Sequence, residues 1–241
     1  MEWFWADKGN PFSFGSLSHL IMIFLLFTIA AIMIFSRNSL RNNNNRKIEI
    51  FLGITLLTVE WGYYWWLLQT GYWSVSTSLP LELCSITLYT CILFLLTGWK
   101  PAGTFLYYAG IAGALQAVLT PVLFIGFPHF RFFHFFYIHM AIILVAIYAV
   151  VVKDIVPTFR NAVISFSTLL VLACIIIFIN RSTGGNYMFL QRKPSTASLL
   201  DVLGPYPYYV FSLSALALGI FLGLAGLYKL LQKGNVHVGE N

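Results

Sequence analysis

Charge is what this chain lacks most. Lys, Arg, Asp and Glu make up 9% of its 241 residues, against about 25% in an ordinary soluble domain. With 59% hydrophobic residues and a mean hydropathy of +0.80, the composition excludes a soluble globule. Cysteine is scarce too. Cys84, Cys91 and Cys174 all fall inside apolar runs, an odd and buried set that argues against a disulfide framework. No basic patch interleaved with aromatics points to nucleic acid, and no motif calls for a cofactor. A metal centre is not expected. His134 and His139 are five apart, about 140° around a helix, so a regular helix cannot aim both at one ion, and zinc usually takes three or four ligands. The start, "MEWFWADKGNPF", lacks the basic stretch and small-residue cleavage site of a signal peptide and is expected to stay in the mature protein.

What is present is a series of apolar runs of roughly 20 residues, each long enough to cross a ~30 Å hydrocarbon layer. The sequence predicts an all-α polytopic membrane protein, a seven-transmembrane-helix bundle in one integral membrane domain, 1–241. The helices are expected near 17–36, 48–69, 79–98, 102–125, 132–152, 160–180 and 206–231. The breaks are polar or rich in turn formers: "SRNSLRNNNNRK", "TGYWSVSTS", "GWKP", "GFPHFR" and "KDIVPTF". Residues 181–205 form the one long outer loop. Lys and Arg set the orientation. With the N-terminus outside, the inner segments hold Arg37, Arg41, Arg46, Lys47, Lys100, Lys153, Arg160, Lys229 and Lys233, and the outer ones hold Lys8, Arg131, Arg181, Arg192 and Lys193. Nine against five favours N-out, C-in.

Ionisable groups inside a span are costly and mark functional sites by default. At 1.5 Å per residue, His19 lies near the outer end of the first helix, and Glu60 sits roughly 13 Å below the outer surface. Cys84 falls about five residues into the third helix, Gln116 about nine below the outer end of the fourth, and His139 about seven into the fifth. The inner halves hold almost nothing ionisable, so a polar cavity opening outward is expected. Pro121 is expected to kink the fourth helix. His129, Arg131 and His134 fall in an aromatic interface stretch, where anchoring is expected, with phosphate headgroup binding by Arg131 as a second role.

The segment "LPLELCS" (79–85) places Glu82 in what reads as the first turn of the third helix, where the dipole favours an anion. Cys84 follows two residues later. A thiol in an apolar setting needs a base to react, and His139 lies at a similar estimated depth. Cys84 and His139 are a minimal nucleophile and base for acyl transfer, with Glu60 or Gln116 available to orient the imidazole. The plain alternative is that Cys84 is a small apolar filler, as Cys91 and Cys174 are expected to be.

The stretches "LPLELCS", "FFYIH" (135–139) and "NYMFL…KP…SLLDVLGPYPYY" (186–209) resemble the YwaF-type bacterial integral membrane proteins over nearly the whole chain. That group is similar to a eukaryotic transmembrane family proposed to be a cysteine-dependent phospholipid acyltransferase. It is similar, more remotely, to the androgen-induced membrane hydrolases. The resemblance implies a catalytic Cys84/His139 pair in a bacterial plasma membrane protein with membrane lipid as partner. It also implies an outer-loop signature at Asn186, Tyr187, Lys193, Asp201 and Tyr209, serving either substrate binding or loop packing. Where this chain has Glu82 the family often has His.

The expected function is therefore a lipid acyltransferase or hydrolase with a cavity open to the outer leaflet, with His19, Glu60, Gln116 and Glu82 in support. The alternatives are a proton-coupled transporter or small-molecule binding protein centred on Glu60 and His139, or an accessory membrane subunit without catalysis.

Overall fold

A computed structural model describes the backbone of residues 2–6, 9–194 and 199–237, and the side chains of 4–6, 9–194 and 200–232. Lys8 and the Lys233 side chain, both counted for orientation, lie outside the described residues, as do residues 195–198 of the long loop. The described residues are helical with turns between. No strand forms among them, and Pro11 and Ile125 make a single antiparallel bridge. The helices are α1 (Glu2–Trp5), α2 (Leu17–Phe35), α3 (Arg37–Asn42), α4 (Arg46–Gln69), α5 (Leu83–Thr97), α6 (Lys100–Phe105), α7 (Ile111–Leu119), α8 (Phe130–Val151), α9 (Phe159–Thr183) and α10 (Tyr208–His237). A π-helical stretch, Leu106–Gly110, joins α6 to α7.

Five helical segments are long and apolar enough to cross a membrane: Leu17–Phe35, Lys100–Leu119, Phe130–Val151, Phe159–Thr183 and Tyr208–Gln232. The chain is a multi-pass helical membrane protein. α4 has the length, but Glu49 and Glu60 lower its apolarity. α5 is apolar but has 15 residues, about 22 Å of helix.

The chain divides into two compact units, one of Met1–Trp73 with Cys84–Ile155, the other of Ser74–Leu83 with Val156–Asn241. In the first, α8 is buried on nearly all sides, as expected of a helix that is apolar all round. Phe136, Ile142 and Ala146 of α8 meet Leu26, Leu56, Leu88 and Cys91 in one core. Close approach is permitted by glycine at 110 and 103 among other positions. A Cβ on Gly110 would stand 2.9 Å from Leu106 Cδ1 and 3.0 Å from Ile142 Cγ2, and one on Gly103 would collide with Ile155 and Phe94.

The π-helical stretch buries Tyr107, Tyr108 and Gly110 together, an added residue re-aiming one face of the helix. It, and not Pro121, interrupts the fourth span. Pro121 ends that span, because the residue before a proline is driven out of helical geometry; Thr120 sits at φ −133°, ψ 69°. The chain from 121 to 129 then pairs with the N-terminal segment, through Phe12 N–H to Phe124 O and Gly126 N–H to Asn10 O.

The second unit is built on α9 and α10. Ala162, Ser165, Leu169, Ile176 and Asn180 are buried on α9, a stripe at three- and four-residue spacing. Gly184 closes α9 in the left-handed conformation, φ 69°. Asn180 then holds the returning loop in both directions, donating to Tyr187 O at 3.0 Å and accepting from Tyr187 N–H at 2.8 Å. The Tyr187 hydroxyl donates to Val75 O and accepts from Leu79 N–H. α5 begins at Leu83 rather than 79. The backbone of 79–82 is committed to turns and loop contacts, and Pro80 precedes the helix.

Candidate functional site

A buried polar cluster of the first unit joins α4 to α8. The Arg131 guanidinium donates to His134 Nδ1 at 3.0 Å. Arginine cannot accept, so His134 carries its proton on Nε2, and that N–H donates to Glu60 Oε2 at 2.9 Å. Glu60 and His134 side chains are each 3% exposed. Arg131 lies 4.1 Å over the Tyr63 ring and 5.9 Å from Trp66. His129, Arg131 and His134, expected to anchor in an aromatic interface stretch, each make specific contacts. His129 is buried as the N-cap of α8, accepting from Arg131 N–H. His134 is the partner of Glu60. Depth along the helices offers Glu60 or Gln116 as the partner of His139, because the rotation of α8 against α4 is not written in either helix.

His139 lies nine residues into α8, 6% exposed. Its Nδ1–H donates to Phe135 O at 2.7 Å, and its ring packs on Phe135 with centroids 4.3 Å apart. In the neutral imidazole this places the lone pair on Nε2.

Cys84 is half-buried and is the second residue of α5; Thr87 donates to its carbonyl at 3.1 Å. Counted from the helix starts, Cys84 is one residue into α5 and His139 nine into α8. Cys91 is fully buried in the core, and Cys174 is exposed on α9.

Gln116 is on the exposed side of α7. Its carbonyl accepts from Thr120. His19 is buried and satisfied at both ring nitrogens, Nδ1 accepting from Gly15 N–H at 3.2 Å and Nε2–H donating to Val118 O at 2.9 Å. That geometry pins the start of α2 to the end of α7.

A second buried carboxylate was passed over by counting depth. Glu49, in the first turn of α4, accepts from Tyr148 at 2.6 Å and Lys153 at 2.8 Å, with Arg46 at 3.3 Å. Arg46 also caps the end of α5 through the carbonyls of Leu95 and Leu96. The signal was available, since Glu49 sits beside Arg46 and Lys47 at a helix start.

In the second unit Glu82 lies outside any helix. Its carboxylate accepts from Met188 N–H at 2.9 Å. Burial raises its pKa above the ordinary carboxylate value, opposed in part by that hydrogen bond. Burial likewise raises the phenol of Tyr187. Met188 and Phe189 both have positive φ, 57° and 52°, uncommon for side-chain-bearing residues. Asn186 closes its own turn, its Oδ1 accepting from Gln191 and Arg192 N–H and its Nδ2 donating to Arg192 O. Tyr209 donates to Phe189 O. Lys193 lies 3.9 Å from the Asp201 carboxylate and 5.7 Å from the Tyr209 ring centroid.

No curated protein and no solved structure matches the chain. The model of the TMEM164 family matches residues 14–225. With most of its length matched, this chain belongs to the TMEM164 family of transmembrane proteins.

Proposed function

We propose that this protein is an integral membrane acyltransferase or hydrolase acting on lipid acyl esters, with Cys84 as nucleophile and His139 as base. The observation that carries the reading is the His139 hydrogen bond. With Nδ1–H held by Phe135 O, the other ring nitrogen carries the lone pair that a general base requires. The similarity of "LPLELCS" and "FFYIH" to YwaF-type and cysteine-dependent acyltransferase sequences supports the same two residues.

The chemistry follows from the pair. His139 Nε2 takes the thiol proton as Cys84 Sγ bonds to the acyl carbonyl carbon. Backbone N–H groups of the first turn of α5 steady the oxyanion. Collapse expels the lipid alcohol, protonated by His139, and leaves an acyl thioester on Cys84. Water or an acceptor hydroxyl, deprotonated by His139, then attacks the thioester and releases the acid or the new ester. The proposal includes α4 and α5 as further spans, giving seven, with N-out, C-in orientation in a bacterial plasma membrane and lipid entering from the outer leaflet.

The test is turnover of a phospholipid with labelled acyl chains in nanodiscs. Cys84→Ser and His139→Ala should each lower it by about 10²-fold or more with membrane insertion unchanged. Full turnover in both variants overturns the reading.

A second reading, proton-coupled transport or small-molecule binding, is favoured by the buried Glu60–His134 pair. It expects Glu60→Gln to abolish function while thiol-blocking reagents leave it intact.

A further inference from the structure

Arg131 has an unusual accounting of partners. A guanidinium carries five N–H donors in a fixed fork. Among the described residues, the one side-chain acceptor it meets is His134 Nδ1. Among the described residues, no carboxylate lies within ion-pair distance of it. The His134 ring bridges Arg131 and the Glu60 carboxyl group. Among the described side chains, every buried nitrogen or oxygen has a hydrogen-bond partner. The remaining N–H edges of Arg131 therefore reach the accessible surface.

The group is also held still. Its plane rests on Tyr63, its inner edge is fixed by His134, and His134 is fixed by Glu60. A guanidinium in one orientation binds a planar or tetrahedral oxyanion with little ordering cost.

Its level in the membrane identifies the anion. Arg131 is the second residue of α8, where the helix dipole adds to its positive charge. Trp65, Tyr72 and Trp73 at and beyond the end of α4, and Phe127 and Phe133 about the start of α8, are all exposed. Exposed aromatics at helix ends mark the headgroup level of a bilayer, and the anion concentrated there is phosphate.

We propose that Arg131 binds the phosphate oxyanion of a phospholipid headgroup at the membrane interface, with His134 and Glu60 as its positioning residues. The inference rests on the lipid reading above and adds the headgroup class. It does not require that Cys84 react.

The test uses the full chain carrying Cys84→Ser, so that no acyl turnover intervenes, in uncharged detergent. Three probes are titrated: dihexanoylphosphatidylglycerol, the uncharged dihexanoylglycerol, and inorganic phosphate. Arg131→Gln should weaken the phospholipid about tenfold or more, the scale of a charged hydrogen bond, and leave dihexanoylglycerol unchanged. Arg131→Lys, which keeps the charge and loses the fork, should fall between. Unchanged phospholipid affinity in both variants overturns the site. Inorganic phosphate binding as tightly as the phospholipid overturns the headgroup assignment. The positioning role is read from the His134 ring nitrogen signals, which should report a proton on Nε2. Glu60→Gln should alter them and weaken the phospholipid together; altered signals with full affinity overturn that role. Loss of headgroup binding leaves the acyl-transfer test standing, and loss of turnover leaves this one standing.

Discussion

His134 donates to Glu60 across 2.9 Å, with both side chains almost wholly enclosed. Two residues 74 positions apart thus fix the rotation of α4 against α8. A buried carboxylate without its donor is costly, so much of the polar order of the first unit hangs on this contact.

Removing one partner should show that cost. His134→Ala leaves Glu60 buried without its donor and should destabilise the protein by about 3–5 kcal/mol, read as a drop in thermal unfolding temperature in detergent. Glu60→Gln should cost less, since an amide oxygen can still accept. The double variant should be less unstable than the sum of the singles, by about 0.5–3 kcal/mol. Simple additivity would show that the contact does not hold the two helices.

Asn180→Ala should destabilise the second unit by about 2 kcal/mol or more, because it removes both hydrogen bonds to the Tyr187 backbone at a fully buried position. Limited proteolysis of the 184–194 loop should accelerate in step. A loop that stays resistant in the variant would show that Asn180 does not hold it.

Gly185→Ala should also destabilise, by about 1–3 kcal/mol. The new Cβ would lie 2.9 Å from Ser76 O, a backbone atom that cannot swing aside. Gly219→Ala, where nothing lies within 4 Å, is the control and should stabilise α10 slightly if it changes anything.

Glu82 has a pKa raised by burial, so the folded state holds its proton more tightly than the unfolded one. Its stabilising contribution is then full below the ordinary carboxylate pKa, about 4.3, and is lost as pH rises through the raised folded value. Glu82→Gln should keep the bond from Met188 N–H and remove that part of the pH slope. An identical slope in wild type and variant would contradict it.

The helices were largely legible. Apolar runs and the Pro-containing breaks place most ends within a few residues. Two boundaries were misread. Pro80 looks like a helix starter, but Leu81 N–H turns back to Leu79 O and Glu82 takes the distant Met188 N–H instead of a helical N–H. Pro121 looks like a kink, yet the N-terminal segment offers the chain an alternative set of partners beyond Thr120. In both cases a distant segment supplied hydrogen bonds that local propensity could not anticipate.

The site was legible as a set of residues and not as a set of partners. Glu60 and His139 stand out because an ionisable group in an apolar run is anomalous wherever it points. That Glu60 meets His134, that Arg131 faces Tyr63, and that Gln116 turns outward depend on the rotation and register of packed helices.

Composition by itself determined that this protein lives in a membrane as a series of helices, because burial in hydrocarbon and backbone hydrogen bonding act on each segment separately. Only the tertiary structure decided which polar side chains meet. A hydrogen bond needs two atoms within about 3 Å, and that distance is set by how α4, α5 and α8 pack rather than by the residues along any one of them.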